Sequence, residues 1–268
     1  MIVGVDIGGT KTLVAVLTNA GVIHESRKFP TPKNYDHFLL ELAHAVHHLE
    51  TKDFKAAGVA VPGRIDRKHG SFKALGNLPW KNEHIQADCE KILKCPVVID
   101  NDANLGGLSE AMLNKQAEKV LYITVSTGIG TGVIYQQRIS EELADIEGGA
   151  IMLPFNNQLV KWEKFASGRA IYEHFNKKAQ DITAEADWKY IVRNLALGFF
   201  ENIVVVQPDL VIVGGSVGTY FDRYEHLLVA ELKKFETPLT PIPKIIQAKR
   251  PEEAVVYGCY DLASQIYG

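Results

Sequence analysis

The sequence predicts an α/β protein in which the two halves of the chain repeat one folding unit. Residues 2–17 read as a buried apolar strand, a turn at Gly8-Gly9 and a second apolar strand. Residues 120–135 repeat this order, with a turn rich in glycine and threonine at 126–132. Strands and helices alternate elsewhere, which is typical of a mixed sheet with helices on its faces. The recurrence of strand, turn and strand predicts an internal duplication.

The apolar periodicity predicts the elements of the first half in order. They are strands near 2–7, 12–18 and 22–28, a helix near 35–50, a strand at 56–61, a helix near 82–94 and a short strand at 97–99. The helix near 35–50 places its apolar residues on one face, and Pro62-Gly63 ends the strand at 56–61.

The second half begins with the repeated strands and then becomes mainly helical. Its predicted elements are strands at 119–126 and 131–137, helices near 168–178 and 184–206, a strand at 209–213, a helix near 220–235, a strand at 242–247 and a closing helix at 252–267. A boundary near 105–118 suits the duplication. We therefore expect an N-terminal lobe of residues 1–112 and a C-terminal lobe of residues 113–251.

The composition is that of an ordinary globular protein. The chain has 268 residues, of which 46% are hydrophobic and 23% charged, with a net charge of −3. This balance does not favour a nucleic-acid or membrane surface, and no apolar run reaches the roughly 20 residues that span a bilayer. A strand that starts at Ile2 leaves no room for a leader peptide. Three cysteines without CxxC spacing read as reduced thiols, so we expect a cytoplasmic protein.

The first turn has the chemistry of a phosphate site. Gly8, Gly9, Thr10 and Lys11 offer backbone N–H groups, a hydroxyl and an ammonium to one point, and Asp6 just before them offers a carboxylate for Mg²⁺. Glycine pairs also close hairpins that bind nothing, so the turn alone is weak evidence. The second turn, at 126–132, has the same chemistry. Two such turns facing each other would hold a polyphosphate from both sides.

Four polar residues follow the strand at 97–99, within the segment DNDAN at 100–104. Helix capping explains one such residue, because Asp and Asn accept the free N–H groups of a helix start. The carboxyl end of a strand is also where α/β enzymes place catalytic groups. Asp102 is our candidate for a general base that accepts the proton of a substrate hydroxyl. Asp100, closer to the strand, reads as structural.

These motifs together resemble the ROK family (repressors, open reading frames and kinases) of the actin-like ATPase superfamily. The resemblance rests on seven segments in order: DIGGTK at 6–11, VAVPGRID at 59–66, LGNLPW at 75–80, DNDAN at 100–104, STGIGTG at 126–132, ASGRAI at 166–171 and VGGS at 213–216. It implies a duplicated, ribonuclease H-like fold of two lobes with a cleft between them, and a closing helix at 252–268 that packs on the first lobe. It also implies a homodimer.

The resemblance assigns roles to individual residues. Asp102 would be the base, and Asp6 would hold Mg²⁺ through water. The ATP-binding residues would be Asp6, Gly8, Gly9, Thr10, Lys11, Thr127, Gly128, Gly214 and Gly215. The sugar-binding residues would be Gly63, Asn77, Asn101, Asp102, Glu147 and Glu163. Gly214-Gly215 could equally be a plain strand-to-helix turn, Asn77 could stabilise a turn before its proline, and the two glutamates could be surface charges.

One segment departs from the family pattern. Where many members carry a sugar-binding Glu and a His that also ligates zinc, this chain has Glu147 and then Ala150. Residues 151–161 contain no cysteine or histidine, so the zinc ligands are absent and we expect no structural zinc. We hypothesise that Trp162 and Phe165 supply apolar packing in its place.

The resemblance thus implies an ATP-dependent kinase of the glucokinase type, acting on a hexose hydroxyl at C6 with Mg²⁺. Glucose, a related hexose or an N-acetylhexosamine could be the acceptor. The partners would be a sugar and ATP, with no nucleic acid and no membrane. The alternative is a catalytically idle, sugar-sensing regulator of the same family without a DNA-binding domain. An acyl or acetate kinase is disfavoured by Asn77 and the segment at 100–104.

Overall fold

The computed structural model describes residues 1–76, 78–81 and 83–268. The elements up to residue 112 are β1 (Ile2–Ile7), β2 (Lys11–Leu17), β3 (Ile23–Pro30), α1 (Tyr35–His47), β4 (Ala56–Val61), β5 (Arg64–Asp66), β6 (Ser71–Ala74), α2 (Ile85–Leu93), β7 (Val97–Asn101) and α3 (Asp102–Met112). Later elements are β8 (Lys119–Val125), β9 (Ile129–Tyr135), β10 (Arg138–Ile139), β11 (Met152–Phe155), β12 (Gln158–Lys161), α4 (Trp162–Ala166), α5 (Gly168–Phe175), α6 (Glu185–Val206), β13 (Leu210–Gly214), α7 (Gly215–Gly218), α8 (Glu225–Leu232), β14 (Lys244–Gln247) and α9 (Ala254–Tyr267).

The chain forms two compact units. Unit 1 comprises Met1–Ser109 together with Glu253–Gly268, and unit 2 comprises Glu110–Glu252. Each has its own apolar core, built on β1, β4 and β7 in unit 1 and on β8, β13 and α6 in unit 2. Among the described helices, none combines the length and apolarity that crossing a membrane requires.

The two units contain five-stranded sheets of the same topology. The strand order is β3-β2-β1-β4-β7 in unit 1 and β10-β9-β8-β13-β14 in unit 2. In unit 1, β1 pairs antiparallel with β2 and parallel with β4. In unit 2, β8 pairs antiparallel with β9 and parallel with β13. The duplicated α/β fold that the sequence predicts is therefore confirmed.

The closing helix α9 packs on the sheet of unit 1 because two glycines allow it to come close. A Cβ at Gly58 would lie 2.1 Å from the carbonyl oxygen of Cys259, and one at Gly4 would lie 2.8 Å from Val256. Side chains at these two strand positions would push the helix away. The apolar core of unit 1 also contains α1 and α2, which pack against the sheet with Phe38, Leu42 and Ile85 fully buried.

Several predicted boundaries differ from the structure. The helix predicted at 220–235 is wrong at its start, where Phe221–Arg223 forms a 3-10 turn before α8. The strand predicted from 242 begins only at Lys244, directly after Pro243, which has no N–H to donate to a ladder. Residues 152–161 form a hairpin whose two turn residues, Asn156 and Asn157, have φ of 49° and 62°. Left-handed asparagines of this kind close two-residue hairpins.

Candidate active site

The carbonyl groups of the glycine turn between β1 and β2 accept hydrogen bonds, and the N–H of Gly8 donates to Lys11 O at 3.1 Å. Gly8 O accepts a hydrogen bond from the Thr31 hydroxyl at 2.8 Å, Gly9 O accepts one from Lys33 Nζ at 3.1 Å, and Thr10 O accepts one from Thr31 N at 3.0 Å. In the described part of the chain, the N–H groups of Gly9 and Thr10 donate to no protein acceptor. A turn arranged in this way favours an anion.

Asp6 and Asp102 lie at the same edge of the unit 1 sheet. Asp6 is near the end of β1, and Asp102 is the first residue of α3, directly after the parallel strand β7. Burial, together with the nearby charge of Asp102, raises the pKa of Asp6 to about 7. Burial also raises the pKa of Asp102, opposed by a hydrogen bond from Ala103 N at 2.8 Å. Two half-buried carboxyls, each with a raised pKa, form a donor set that suits Mg²⁺.

Both the oxygen and the nitrogen of the Asn101 side-chain amide form hydrogen bonds with the backbone. Its Oδ1 accepts from Ala103 N at 2.8 Å, as in a helix cap, and its Nδ2 donates to Gly63 O at 2.8 Å. Gly63 has φ of 101°, and a Cβ there would lie 2.3 Å from Ala74 O. Asn101 and Gly63 are therefore brought together, next to Asp102. Their contact with a sugar stays a prediction.

Asp100 is fixed by a partner that the sequence analysis did not identify. Arg67 binds it with two hydrogen bonds, Nε to Oδ2 at 2.8 Å and Nη2 to Oδ1 at 2.9 Å. Asn104 Nδ2 and Asn101 N also donate to Asp100. The pair joins the β5–β6 hairpin to the segment that carries Asp102. A bidentate arginine pair between residues 33 positions apart leaves no local signal in the sequence.

The predicted sugar-binding residue Asn77 lies outside the described residues. The residues that follow are described, and Trp80 is buried against Tyr35 and Phe38. Trp80 Nε1 donates to Lys33 O at 3.1 Å. The segment after Asn77 is thus tied to the residue that supports Gly9.

The second turn is in unit 2, between β8 and β9. Ser126 N donates to Gly128 O at 2.9 Å, and Thr127 at the tip is exposed. Thr131 is buried, and its hydroxyl accepts from Gly148 N at 2.8 Å and donates to Ile146 O at 3.3 Å. This anchors the loop that carries Glu147 to the strand following the turn.

Of the two predicted sugar-binding glutamates, Glu163 is next to the second turn. A Cβ at Gly128 would lie 3.0 Å from Glu163 Oε2. Glu147 is exposed at the start of a 3-10 turn, Gly148–Ala150. The structure brings Glu163 to Gly128, and Glu147 lies in the loop that Thr131 holds.

Gly214 and Gly215 have a packing reason to be glycine. A Cβ at Gly214 would lie 2.1 Å from the Tyr122 hydroxyl, and one at Gly215 would lie 2.6 Å from the hydroxyl oxygens of Thr124 and Ser126. Gly215 also has φ of 81°. Close approach to β8 accounts for both glycines, and their contact with adenosine stays a prediction.

Trp162 and Phe165 form the apolar base of the β11–β12 hairpin. Trp162 is fully buried, donates from Nε1 to Asn194 O at 3.1 Å and contacts Phe199 edge to face at 5.8 Å. Phe165 stacks on Phe155 of the hairpin at 4.5 Å. Aromatic packing thus organises the segment that contains no cysteine or histidine.

Proteins similar to this chain include several sugar kinases. A glucokinase of Streptomyces coelicolor is 28% identical over 311 residues, covering 98% of this chain and 97% of the relative. An N-acetyl-D-glucosamine kinase of Citrobacter koseri is 26% identical over 296 residues, covering 96% and 97%. A crystal structure of a ROK family glucokinase from Streptomyces griseus, in complex with glucose and AMPPNP, has the same fold. Its TM-score is 0.84 at 23% identity, covering 98% of this chain and 99% of that one.

The sequence model of the ROK family matches residues 2–266, nearly the whole chain. The glucokinase sequence covers the same extent, and the similar structure shares the fold over nearly the whole chain. This protein belongs to the ROK family.

Proposed function

We propose that this ATP-dependent sugar kinase transfers the γ-phosphoryl group of ATP to the C6 hydroxyl of a hexose or N-acetylhexosamine, with Asp102 as general base. The proposal is carried by one observation. A half-buried carboxyl with a raised pKa starts a helix at the edge of the sheet where Asp6 and the glycine turn also lie.

Asp102 suits the role because of its environment. Burial makes its carboxylate a stronger base than a solvated one, so it accepts a proton from a sugar hydroxyl more readily. The hydroxyl oxygen then forms a bond to the γ-phosphorus while the bond from phosphorus to the β,γ-bridging oxygen breaks, and ADP leaves. The proton stays on Asp102 until solvent removes it.

The turns bind and orient the phosphates. In unit 1, the N–H groups of Gly9 and Thr10 and the ammonium of Lys11 would face the triphosphate. In unit 2, Thr127 and Gly128 would contact its terminal group. Asp6 would hold Mg²⁺ through water, and the ion when bound neutralises phosphate charge.

We expect the acceptor to be a hexose or N-acetylhexosamine, because the similar proteins include a glucokinase and an N-acetyl-D-glucosamine kinase. Glu163 lies against the second turn, and Ala150 occupies the position of the family's histidine. Loss of a buried donor weakens selection among sugars that differ at C1 and C2. We therefore expect glucose and at least one C2-modified hexose to be accepted.

An ADP-release assay tests the proposal directly. Glucose, mannose, fructose, N-acetylglucosamine and N-acetylmannosamine are each supplied with MgATP, and sugar-dependent ADP release is expected with at least one. Asp102→Asn should lower kcat by about 10²- to 10⁴-fold while ATP binding is retained, since only the proton acceptor is lost. Sugar binding without ADP release from any acceptor would instead indicate the regulator. An unchanged kcat in Asp102→Asn would exclude Asp102 as base.

A further inference from the structure

Three hydroxyl side chains alternate along the end of β8 and line the turn at residues 214–216. Tyr122, Thr124 and Ser126 occupy every second position, so they share one face of the strand, whereas Leu121, Ile123 and Val125 join the core of unit 2. Gly214 pairs with Thr124 in the parallel ladder between β13 and β8. Both glycines of the turn lie directly against these hydroxyls.

Ser126 connects three segments of unit 2. Its N–H donates to Gly128 O at 2.9 Å and closes the second phosphate turn. Its carbonyl oxygen accepts from Gly168 N at 2.7 Å, at the start of α5. Its hydroxyl oxygen accepts from Ser216 N at 3.1 Å, at the start of α7. The first two bonds use backbone atoms, so only the third depends on the serine side chain.

We infer that Ser126 is a positioning residue for the nucleotide. Its hydroxyl fixes the turn at residues 126–128, which would hold the γ-phosphate, relative to the turn at residues 214–216, which would hold the adenosine. The inference rests on the proposed function, because both turns are assigned there to ATP. It adds that, beyond the backbone ladder between β13 and β8, one side-chain hydrogen bond ties the two ends of the nucleotide site together.

The Ser126 side chain fits closely against Gly215. A Cβ at Gly215 would lie 2.6 Å from Ser126 Oγ, so the serine fills the space that the glycine leaves. An alanine at 126 would leave the Ser216 N–H to water and a gap beside Gly215. Ser126 itself is only half-buried, so the two turns would loosen while the core stays intact. The nucleotide should then bind more weakly, and the sugar should not.

The test measures MgADP and MgAMPPNP affinity by calorimetry alongside KM for ATP and for the sugar. Ser126→Ala should weaken nucleotide binding and raise KM for ATP by about 5- to 10-fold, the effect of one lost hydrogen bond, with KM for the sugar within twofold. Ser140→Ala, which removes a hydroxyl elsewhere in unit 2, is the matched control and should change neither.

Ser216→Pro removes the same hydrogen bond from the donor side, because proline has no N–H and is tolerated in the first turn of a helix. It should reproduce the loss, and the double variant should lose no more than either single one. Ser216→Pro also carries the test if Ser126→Ala does not fold.

Unchanged nucleotide affinity in a folded variant, or additive effects in the double variant, would overturn the inference. Wild-type protein that binds nucleotide but releases no ADP would contradict the proposed kinase activity and leave this affinity test intact. Wild-type protein that binds no nucleotide would overturn both.

Discussion

Arg67 and Asp100 form a bidentate pair that supports the segment carrying Asp102. Arg67 Nε and Nη2 lie 2.8 and 2.9 Å from the two oxygens of Asp100, and the Asp100 side chain is only 5% exposed. Asp100 also accepts hydrogen bonds from Asn101 N and Asn104 Nδ2. The carboxylate two residues before the proposed base is thus saturated with donors and has a structural role.

Arg67→Ala should both destabilise the protein and slow the reaction. Removing one partner leaves the buried Asp100 charge uncompensated, at a cost of about 2–3 kcal/mol because the Arg67 side chain is 25% exposed. A shift of the residues around Asp102 should lower kcat by about tenfold. Chemical denaturation and steady-state kinetics measure the two effects. Lys68→Ala, at the exposed neighbouring position, should leave both within error. Equal effects from the two variants would show that the pair does not support the site.

The raised pKa of Asp6 predicts a pH-dependent stability. The carboxyl titrates near its ordinary value of 3.8 when unfolded and at about 7 in the folded protein, so between these pH values only the folded state holds the proton. Wild-type protein therefore loses stability relative to Asp6→Asn as the pH rises, by on the order of 4 kcal/mol at pH 7 and above.

Unfolding free energies of Asp6→Asn and wild type, measured without Mg²⁺ from pH 4 to pH 8, test this slope. Asp53→Asn, which removes a carboxylate at an exposed position of the same unit, is the control. A difference between wild type and Asp6→Asn that does not change with pH would mean that Asp6 is not desolvated.

The sequence was sufficient for those parts of the site that are local. The glycine turn can be recognised from the composition of a short segment. Asp6 and Asp102 can be recognised because each lies near the carboxyl end of a predicted strand. The hairpin at 152–161 could also have been predicted, since Asn156-Asn157 favours the left-handed conformations that such turns need.

The remaining contacts depend on the tertiary fold. Arg67 meets Asp100 from 33 positions away, Thr31 meets Gly8 from 23, and Ser216 meets Ser126 from 90. No periodicity or spacing relates these residues in the sequence. The packing reason for Gly214 and Gly215 was missed for the same cause, because it requires knowing that β13 pairs with β8.

Thr31→Val should loosen the first phosphate turn. The Thr31 hydroxyl is buried, donates to Gly8 O at 2.8 Å and lies 2.9 Å from the hydroxyl of Thr12. Valine has nearly the same shape but leaves Gly8 O and Thr12 unpaired, at a cost of about 1–3 kcal/mol. We expect a lower melting temperature and a higher KM for ATP. Thr183→Val, at an exposed position, is the control and should alter neither. A normal KM for ATP in Thr31→Val would mean that the turn keeps its shape without this support.

Tyr224→Phe should stabilise the protein. The Tyr224 ring is fully buried and stacks on Trp188 at 4.8 Å, and among the described residues its hydroxyl finds no hydrogen-bond partner. Removing an unsatisfied buried hydroxyl while keeping the ring should raise the unfolding free energy by about 1 kcal/mol. Tyr172→Phe, at a tyrosine that is 49% exposed, should change it by less than about 0.5 kcal/mol. A destabilised Tyr224→Phe would reveal a partner such as a buried water.

The hairpin at 152–161 predicts that the protein is stable without zinc. Trp162 fills the space above Gly198, where a Cβ would lie 2.0 Å from the indole ring, and Phe165 stacks on Phe155 of the hairpin. This aromatic packing fixes the hairpin at 152–161 without a metal ion. Chelator treatment followed by return of Mg²⁺ should therefore leave the melting temperature and ADP release unchanged. Elemental analysis of purified protein should find far less than one zinc per chain. Trp162→Ala, in contrast, should cost about 3–5 kcal/mol, because it empties a large buried site under the hairpin. Stoichiometric zinc, or a melting temperature that falls on chelation, would show that a metal rather than the aromatic cluster organises this segment.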